Sequence, residues 1–294
     1  MDGHGRPRTS IVARAGAGSR IGSPAVGTIV SFHAHPDDES IGTAGTLALA
    51  AEAGHRVVIV FATRGELGEP VPGVLADGEQ LSLRRSAECY AAARELGAHR
   101  VEFLGYTDSG MMGEPTNDAP YCFWRAPVEH AARRLAVIVD EEEADVLTAY
   151  DDIGGYGHPD HIQVHRVGMR AAELSAVPVV AQQTINRDWL SRGMRRLTAS
   201  GQVDPMVAMP EPDAEHFGKP EAQITHRVEV VDVADRKRAA MRAHASQMGP
   251  DHPLLAMPEP MFLVVLGVEF YVVTPPPDAA ATPDVFHELF TPLR

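Results

Sequence analysis

The sequence predicts an α/β fold: a Rossmann-like, mostly parallel sheet with helices on both faces, plus a less regular C-terminal portion. Two observations predict it. Continuous apolar runs rich in β-branched residues, the pattern of strands buried on both faces, alternate with segments of helical spacing. Each of three polar clusters then falls just after such a run, and parallel sheets build their sites at the carboxyl ends of strands.

The elements follow in order. Residues 26–33 read as a buried strand and 39–54 as the helix after it. Residues 56–62 form a second apolar run, ending in the Gly-containing loop 63–68. Over 80–97 the residues Leu83, Ala87, Tyr90, Ala91 and Arg94 recur at helical spacing, and Gly97 supplies a stop. A short strand at 100–104 leads into a long Gly/Pro/Asp loop, 105–127. Loops of that length are usually functional. Next come a helix at 128–143, a strand at 145–149, a loop at 150–157 and a helix opened by Pro159, a position where proline is tolerated. A strand at 177–182 closes the regular part. The last third predicts a helix at 186–198, an irregular proline-rich stretch at 201–220, a strand at 224–231, a helix at 232–247 and a long strand at 262–273.

Residues 1–26 carry Arg and Gly without an apolar signal core and predict a flexible tail; residues 27–294 predict a single domain. The pentapeptide Ala-Met-Pro-Glu-Pro occurs at Ala208 and at Ala256, but two copies do not make a repeat architecture.

Composition narrows the function. With 294 residues, 44% of them hydrophobic, the chain can bury a full core. A formal net charge of −14 argues against a broad basic face for nucleic acid or for an anionic membrane. No apolar run is long enough to span a bilayer. Two cysteines, Cys89 and Cys122, make no disulfide framework and suit a reducing, cytoplasmic setting. Cys89 falls in a helical pattern as a small core residue, and Cys122 falls in a loop.

The chemistry lies in two motifs. His35-Pro-Asp37-Asp38-Glu39 sits where the first strand ends and the first helix begins, and Tyr156-Gly-His158-Pro-Asp160-His161 opens a later helix. Either alone also reads as a capped turn. Together, each after a buried strand, they supply the imidazoles and carboxylate of a catalytic zinc site, with a carboxylate and an imidazole left for proton transfer. Zn²⁺, Fe²⁺ or another divalent transition metal suits such donors. His35 and Asp38 can aim at one point, with His161 as third ligand. His158 and His165 are rivals, because each shares a helix face with His161. His33 reads as a strand residue, His55 and His99 as residues following helix ends, and His4, His130, His216, His226 and His252 as structural or surface residues.

The paired motifs, with Gly155 before the second, resemble the PIG-L/LmbE-like zinc N-deacetylases. That family includes the enzyme that deacetylates N-acetylglucosaminyl-phosphatidylinositol, and the mycothiol deacetylase and mycothiol-conjugate amidase of actinobacteria. The resemblance runs from about Thr28 to His165 and returns at Ala243-His244-Ala245-Ser246-Gln247. It implies His35, Asp38 and His161 as metal ligands, Asp37 as general base, and His158, oriented by Asp160, as general acid or oxyanion partner. It implies Tyr156 near the developing oxyanion, and Arg85 and Asp108 on the substrate side. The loop at 103–108 is shorter than in the mycothiol enzymes and the segment after Gln247 diverges, so the resemblance leaves the substrate open.

The expectation is a zinc-dependent hydrolase that removes an N-acyl group, acetyl in the first instance, from a glucosamine-containing small molecule. The alternatives are a conjugate amidase, a deacetylase tailoring a secondary metabolite, and a sugar-binding protein that kept the fold. A dinucleotide enzyme is disfavoured, because the first βα turn lacks a Gly-rich phosphate loop. The expected partner is an N-acyl amino sugar, with no nucleic acid and no membrane span.

Overall fold

The computed structural model describes residues 26–202, 217–274 and 282–293. The predicted tail, most of the proline-rich stretch (with His216 and the first pentapeptide) and His4 lie outside the described residues.

The first half alternates strand and helix as the apolar runs predict. It holds β1 (Thr28–His33), α1 (Asp38–Gly42), α2 (Ala44–Glu52), β2 (Arg56–Phe61), α3 (Leu81–Leu96), β3 (Arg100–Phe103) and α4 (Val128–Glu141). Then follow β4 (Val146–Tyr150), the short turn α5 (Gly154–Gly157), α6 (Pro159–Ser175), β5 (Val179–Thr184) and α7 (Arg187–Ala199). The remainder holds β6 (His226–Glu229), α8 (Ala234–Ala243), α9 (Pro253–Ala256), α10 (Glu259–Leu266), β7 (Val268–Thr274), α11 (Asp284–Leu289) and β8 (Thr291–Pro292).

The strands form one eight-stranded sheet in the order β3-β2-β1-β4-β5-β7-β6-β8. The first five are parallel; β7, β6 and β8 join antiparallel. Side chains on β1 alternate between two cores. Ile29 faces Leu47, Cys89 and Leu96 of α2 and α3, while Val30 and Phe32 face Leu135 of α4 and Val164 and Val167 of α6. Each such buried side chain contributes about 1.5–3 kcal/mol relative to exposure. A third cluster joins α7, α8 and α10 through Leu190, Met194, Met241 and Phe262.

Two expectations are corrected. The helix over 39–54 is two helices, broken at Thr43, which has φ −134° and ψ 0°. Its hydroxyl lies 3.2 Å from His33 Nε2, so a polar contact beneath the sheet edge fixes the break. The long strand over 262–273 is α10 followed by β7. A continuous apolar run does not distinguish a buried helix from a strand. Pro258 and Pro260 suit a helix start, and Phe262 and Leu266 bury against α7. Elsewhere the expected boundaries hold within a few residues, and Gly97 ends α3 in the left-handed conformation, φ 72°. The 105–127 loop contains two short 3₁₀ turns, Pro115–Asp118 and Phe123–Arg125.

Candidate active site

Three segments meet at the carboxyl edge of the sheet. The turn after β1 carries His35, Asp37 and Asp38; the loop after β3 carries Asp108 and Ser109; the start of α6, after β4, carries His158, Asp160 and His161. β1 and β4 are neighbours, yet the helices after them pack on opposite faces. That is the topological switch point, where an open sheet leaves a crevice.

The donor set fits a metal. Asp38 Oδ2 lies 3.5 Å from His35 Nδ1 and 3.3 Å from His161 Nε2. Ligands at about 2.0–2.1 Å from a tetrahedral ion stand about 3.3 Å apart. The other ring nitrogen of His35, Nε2, is 3.2 Å from Asp160 Oδ2, the outer carboxylate that metal-binding histidines commonly have. His158 remains close: its ligand atom and those of His35 and His161 lie within 4.8 Å of one another. The ligand atoms of His35, Asp108 and Asp160 form a second such group. His165 turns away, its Nδ1 paired with the Tyr150 carbonyl at 3.1 Å.

The electrostatics also call for a cation. Burial works to lower the His35 pKa, but its hydrogen bonds to the carboxylates of Asp108, Asp160 and Asp38 outweigh it and hold the imidazole well above its usual range. Burial works to raise Asp38, but His161 and His35 outweigh it and hold the carboxyl well below its usual range. Three carboxylates around one buried imidazole favour positive charge there.

Asp37 sits beside Asp38 in a strained backbone, φ 102°. Its N–H donates to Glu39 Oε2 at 3.0 Å, and its carboxylate lies 3.2 Å from Arg85 Nη2. Burial pushes the Asp37 carboxyl up to about 6; the Arg85 guanidinium pulls against that, and the Asp38 charge adds to it. Glu39 in turn meets His244 Nε2 at 2.6 Å, with both side chains buried. The sequence places Glu39 and His244 inside the two segments that carry the family resemblance, and that is the signal that could have found them. It gives neither a role, because their contact spans 205 residues of chain.

The expectations for the remaining residues divide. Tyr156 Oη lies 3.4 Å from His161 Nε2, beside the cluster as expected. Asp108 Oδ1 is 3.5 Å from His35 Nε2, within the cluster itself. The role of Asp160 needs correction. Its carboxylate serves His35 and accepts from the Ser109 N–H at 2.9 Å and from the Ser109 hydroxyl. His158 is held instead by the Asp160 backbone, whose N–H donates to His158 Nδ1 at 3.1 Å, because His158 is the N-cap of α6. Burial, then the neighbouring His35 and His161, lower His158 to about 4. Arg85 is 3% exposed, donates to the carbonyls of Gly65 and Pro36 and stands beside the Asp37 carboxylate.

Beneath the cluster, His33 bonds Ser31 Oγ at 2.7 Å and Tyr150 Oη at 2.9 Å, and burial lowers its pKa to about 4. It is a strand residue, as expected.

The fold and this donor set define a class: an α/β protein with a metal-capable His/Asp cluster at the switch point of its sheet. Residues 30–172 match the family described as PIG-L, GlcNAc-PI de-N-acetylase. A 1D-myo-inositol 2-acetamido-2-deoxy-alpha-D-glucopyranoside deacetylase from Acidothermus cellulolyticus is 39% identical over 259 residues, covering 84% of this chain and 89% of its own. One of the same description from Streptomyces griseus is 40% identical, over 83% of this chain and 82% of its own. The chain belongs to the PIG-L family.

Solved structures agree on the fold. An N,N'-diacetylchitobiose deacetylase from Pyrococcus horikoshii superposes with TM-score 0.54 at 22% identity, covering 84% of each chain. A 4-carboxy-2-hydroxymuconate hydratase from Pseudomonas putida reaches 0.55 at 20% identity, over 86% of this chain and 98% of its own. A deacetylase and a hydratase on one framework mean that the fold alone does not choose the reaction.

Proposed function

We propose that the chain is a zinc-dependent N-deacetylase acting on an N-acetylglucosaminyl inositol or a closely similar amino sugar. The observation that carries the reading is that His35 and His161 each bring a ring nitrogen to Asp38 Oδ2, at 3.5 and 3.3 Å, with Asp37 next in the chain and paired to Arg85. The two relatives named above support the substrate class.

Under this reading His35, Asp38 and His161 hold the metal. A bound Zn²⁺ or Fe²⁺ would polarise the amide carbonyl and make water a nucleophile near neutral pH. Asp37 takes the proton of the attacking water. Arg85 and the Glu39–His244 pair are positioning residues that keep Asp37 in its strained backbone. His158, a neutral imidazole whose Nδ1 accepts the Asp160 N–H, offers its Nε2–H to the developing oxyanion, and Asp37 passes the proton it took from water to the leaving amine. Tyr156 Oη lies where a donor to the oxyanion is wanted. Asp108 reaches the sugar side of the cluster. No described helix is long and apolar enough to cross a membrane. Both cysteines are free, which suits the cytoplasmic setting the proposal includes.

The test is elemental analysis of purified protein, with acetate release from N-acetylglucosaminyl inositol measured with and without a chelator. One transition metal per chain and chelator-sensitive release are expected. Metal-free protein after reconstitution would remove the reading.

A further inference from the structure

A cavity of about 450 Å³ opens directly off the cluster. Asp37, Asp38, Tyr156 and His161 form its near wall; Ile41, Trp189, Leu190, Val265 and Phe270 form much of the rest. It runs between α1 and the packed pair α7 and α10. At about 30 Å³ per water, it has room for roughly fifteen waters, far more than the methyl of an acetyl group needs.

Most of its polar lining is already engaged. Lys237 Nζ pairs with Glu269 at 2.7 Å, and that carboxylate also accepts from the backbone N–H of Gly45 and Thr46 at 2.8 and 2.9 Å. Asn186 Oδ1 caps α7 through the Trp189 N–H at 2.9 Å, and Thr184 donates to Asp151. The Trp189 indole N–H donates to the Val264 carbonyl at 3.0 Å. A polyhydroxylated ring would find few partners deep in this cavity, whereas an aliphatic chain needs none.

Direction follows from what lines the cavity. His158, His35 and Asp108 do not line it. An amide whose sugar lies on the Asp108 side of the cluster therefore turns its acyl carbon substituent toward Ile41, into the cavity.

We infer that this cavity is an acyl pocket, so that the enzyme hydrolyses amino sugars bearing linear aliphatic N-acyl groups longer than acetyl. The inference rests on the deacetylase reading. Water adds across the amide: its oxygen bonds the acyl carbon, the C–N bond breaks, and the nitrogen takes a proton. The products are an aliphatic carboxylate and the free amine. The sugar stays on the Asp108 side.

The test compares N-acetyl-, N-butanoyl-, N-hexanoyl- and N-octanoylglucosamine with the metal-loaded enzyme. Each buried methylene is expected to raise kcat/KM about fourfold until the pocket is full. Val265→Trp, which fills the cavity, lowers the ratio of hexanoyl to acetyl turnover. Binding is read separately from turnover. N-hexanoylglucosamine shifts the emission of Trp189, one of two tryptophans, and Trp189→Phe removes the shift. A kcat/KM that falls steadily from acetyl to hexanoyl, with no Trp189 response, overturns the pocket and leaves the deacetylase reading intact. No hydrolysis at any chain length overturns the deacetylase reading; the Trp189 titration then decides the pocket by itself.

Discussion

Replacing Asp37 with Asn tests the core of the mechanism with little change of shape. Asn is among the few residues that tolerate φ near 102°, so the turn between His35 and Asp38 survives. What is lost is a proton acceptor. General-base removal costs about 10²–10⁴ in rate, or about 3–5 kcal/mol of barrier. The stability effect is smaller. Breaking a buried ion pair costs about 3–5 kcal/mol when the remaining charge is stranded. Arg85 is not stranded, because it keeps the carbonyls of Gly65 and Pro36. The neutral amide would also relieve the repulsion between Asp37 and Asp38 that helps push the Asp37 pKa up to about 6. A net loss of about 1 kcal/mol is expected, a Tm shift of about 2–4 °C in a chain this size. Three measurements on one preparation suffice: metal content, Tm and acetate release. Full metal, near-normal Tm and at least a hundredfold loss of kcat are expected. Activity within tenfold of the parent, with metal bound, would refute the assignment of Asp37 as base. Loss of the metal would make Asp37 a ligand.

Asp160→Asn weakens the charge on His35 Nε2 and is expected to lower metal affinity about 10–100-fold, read by competition with a chromogenic chelator; unchanged affinity would remove Asp160 from the site. Gly154 has φ +66°, and a Cβ there would stand 2.6 Å from His161 Cβ and 2.7 Å from Ile162 N, so Gly154→Ala is expected to displace His161 and cost about 1–3 kcal/mol. Full metal occupancy and unchanged Tm in that variant would show that the turn does not set the third ligand. Away from the site, Glu142 is held down to about 2, chiefly by its hydrogen bond to Arg56, opposed by burial and reinforced by Arg100. A depressed carboxyl contributes stability that is present above about 4.5 and is lost as pH falls through its folded value. The Tm gap between the parent and Glu142→Gln is therefore expected to be widest near neutrality and to shrink below pH 4.5; a gap independent of pH would contradict the ion-pair origin.

Much of the framework was legible because buried parallel strands need no context. The runs ending at His33, Phe61 and Tyr150 are apolar on both faces, and that pattern has few other uses. The two motifs were legible because a turn after a strand and a proline-opened helix each present side chains at fixed offsets. Where the sequence failed, the deciding interactions were remote. The 262–273 run is apolar in either conformation; packing of Phe262 and Leu266 against α7 made its first part helical. The break at Thr43 turns on a contact of its hydroxyl with His33 at the end of β1, which helical spacing does not register.

The sequence by itself determined which residue types could bind a metal, that they follow strands, and that the charge balance disfavours nucleic acid. Only the tertiary structure decided how they are used. The β1–β4 pairing brought His35 and His161 to one Asp38 oxygen, across more than a hundred residues of chain. Packing of α8 against α1 set His244 on Glu39, and so fixed Asp37. The carbonyls of Gly65 and Pro36 turned Arg85 of α3 inward, and the β1–β4 pairing gave the Asp160 carboxylate to His35 instead of His158. Local spacing fixes where a side chain starts. Which of two neighbouring groups it meets depends on the element that packs against it, and that element comes from elsewhere in the chain.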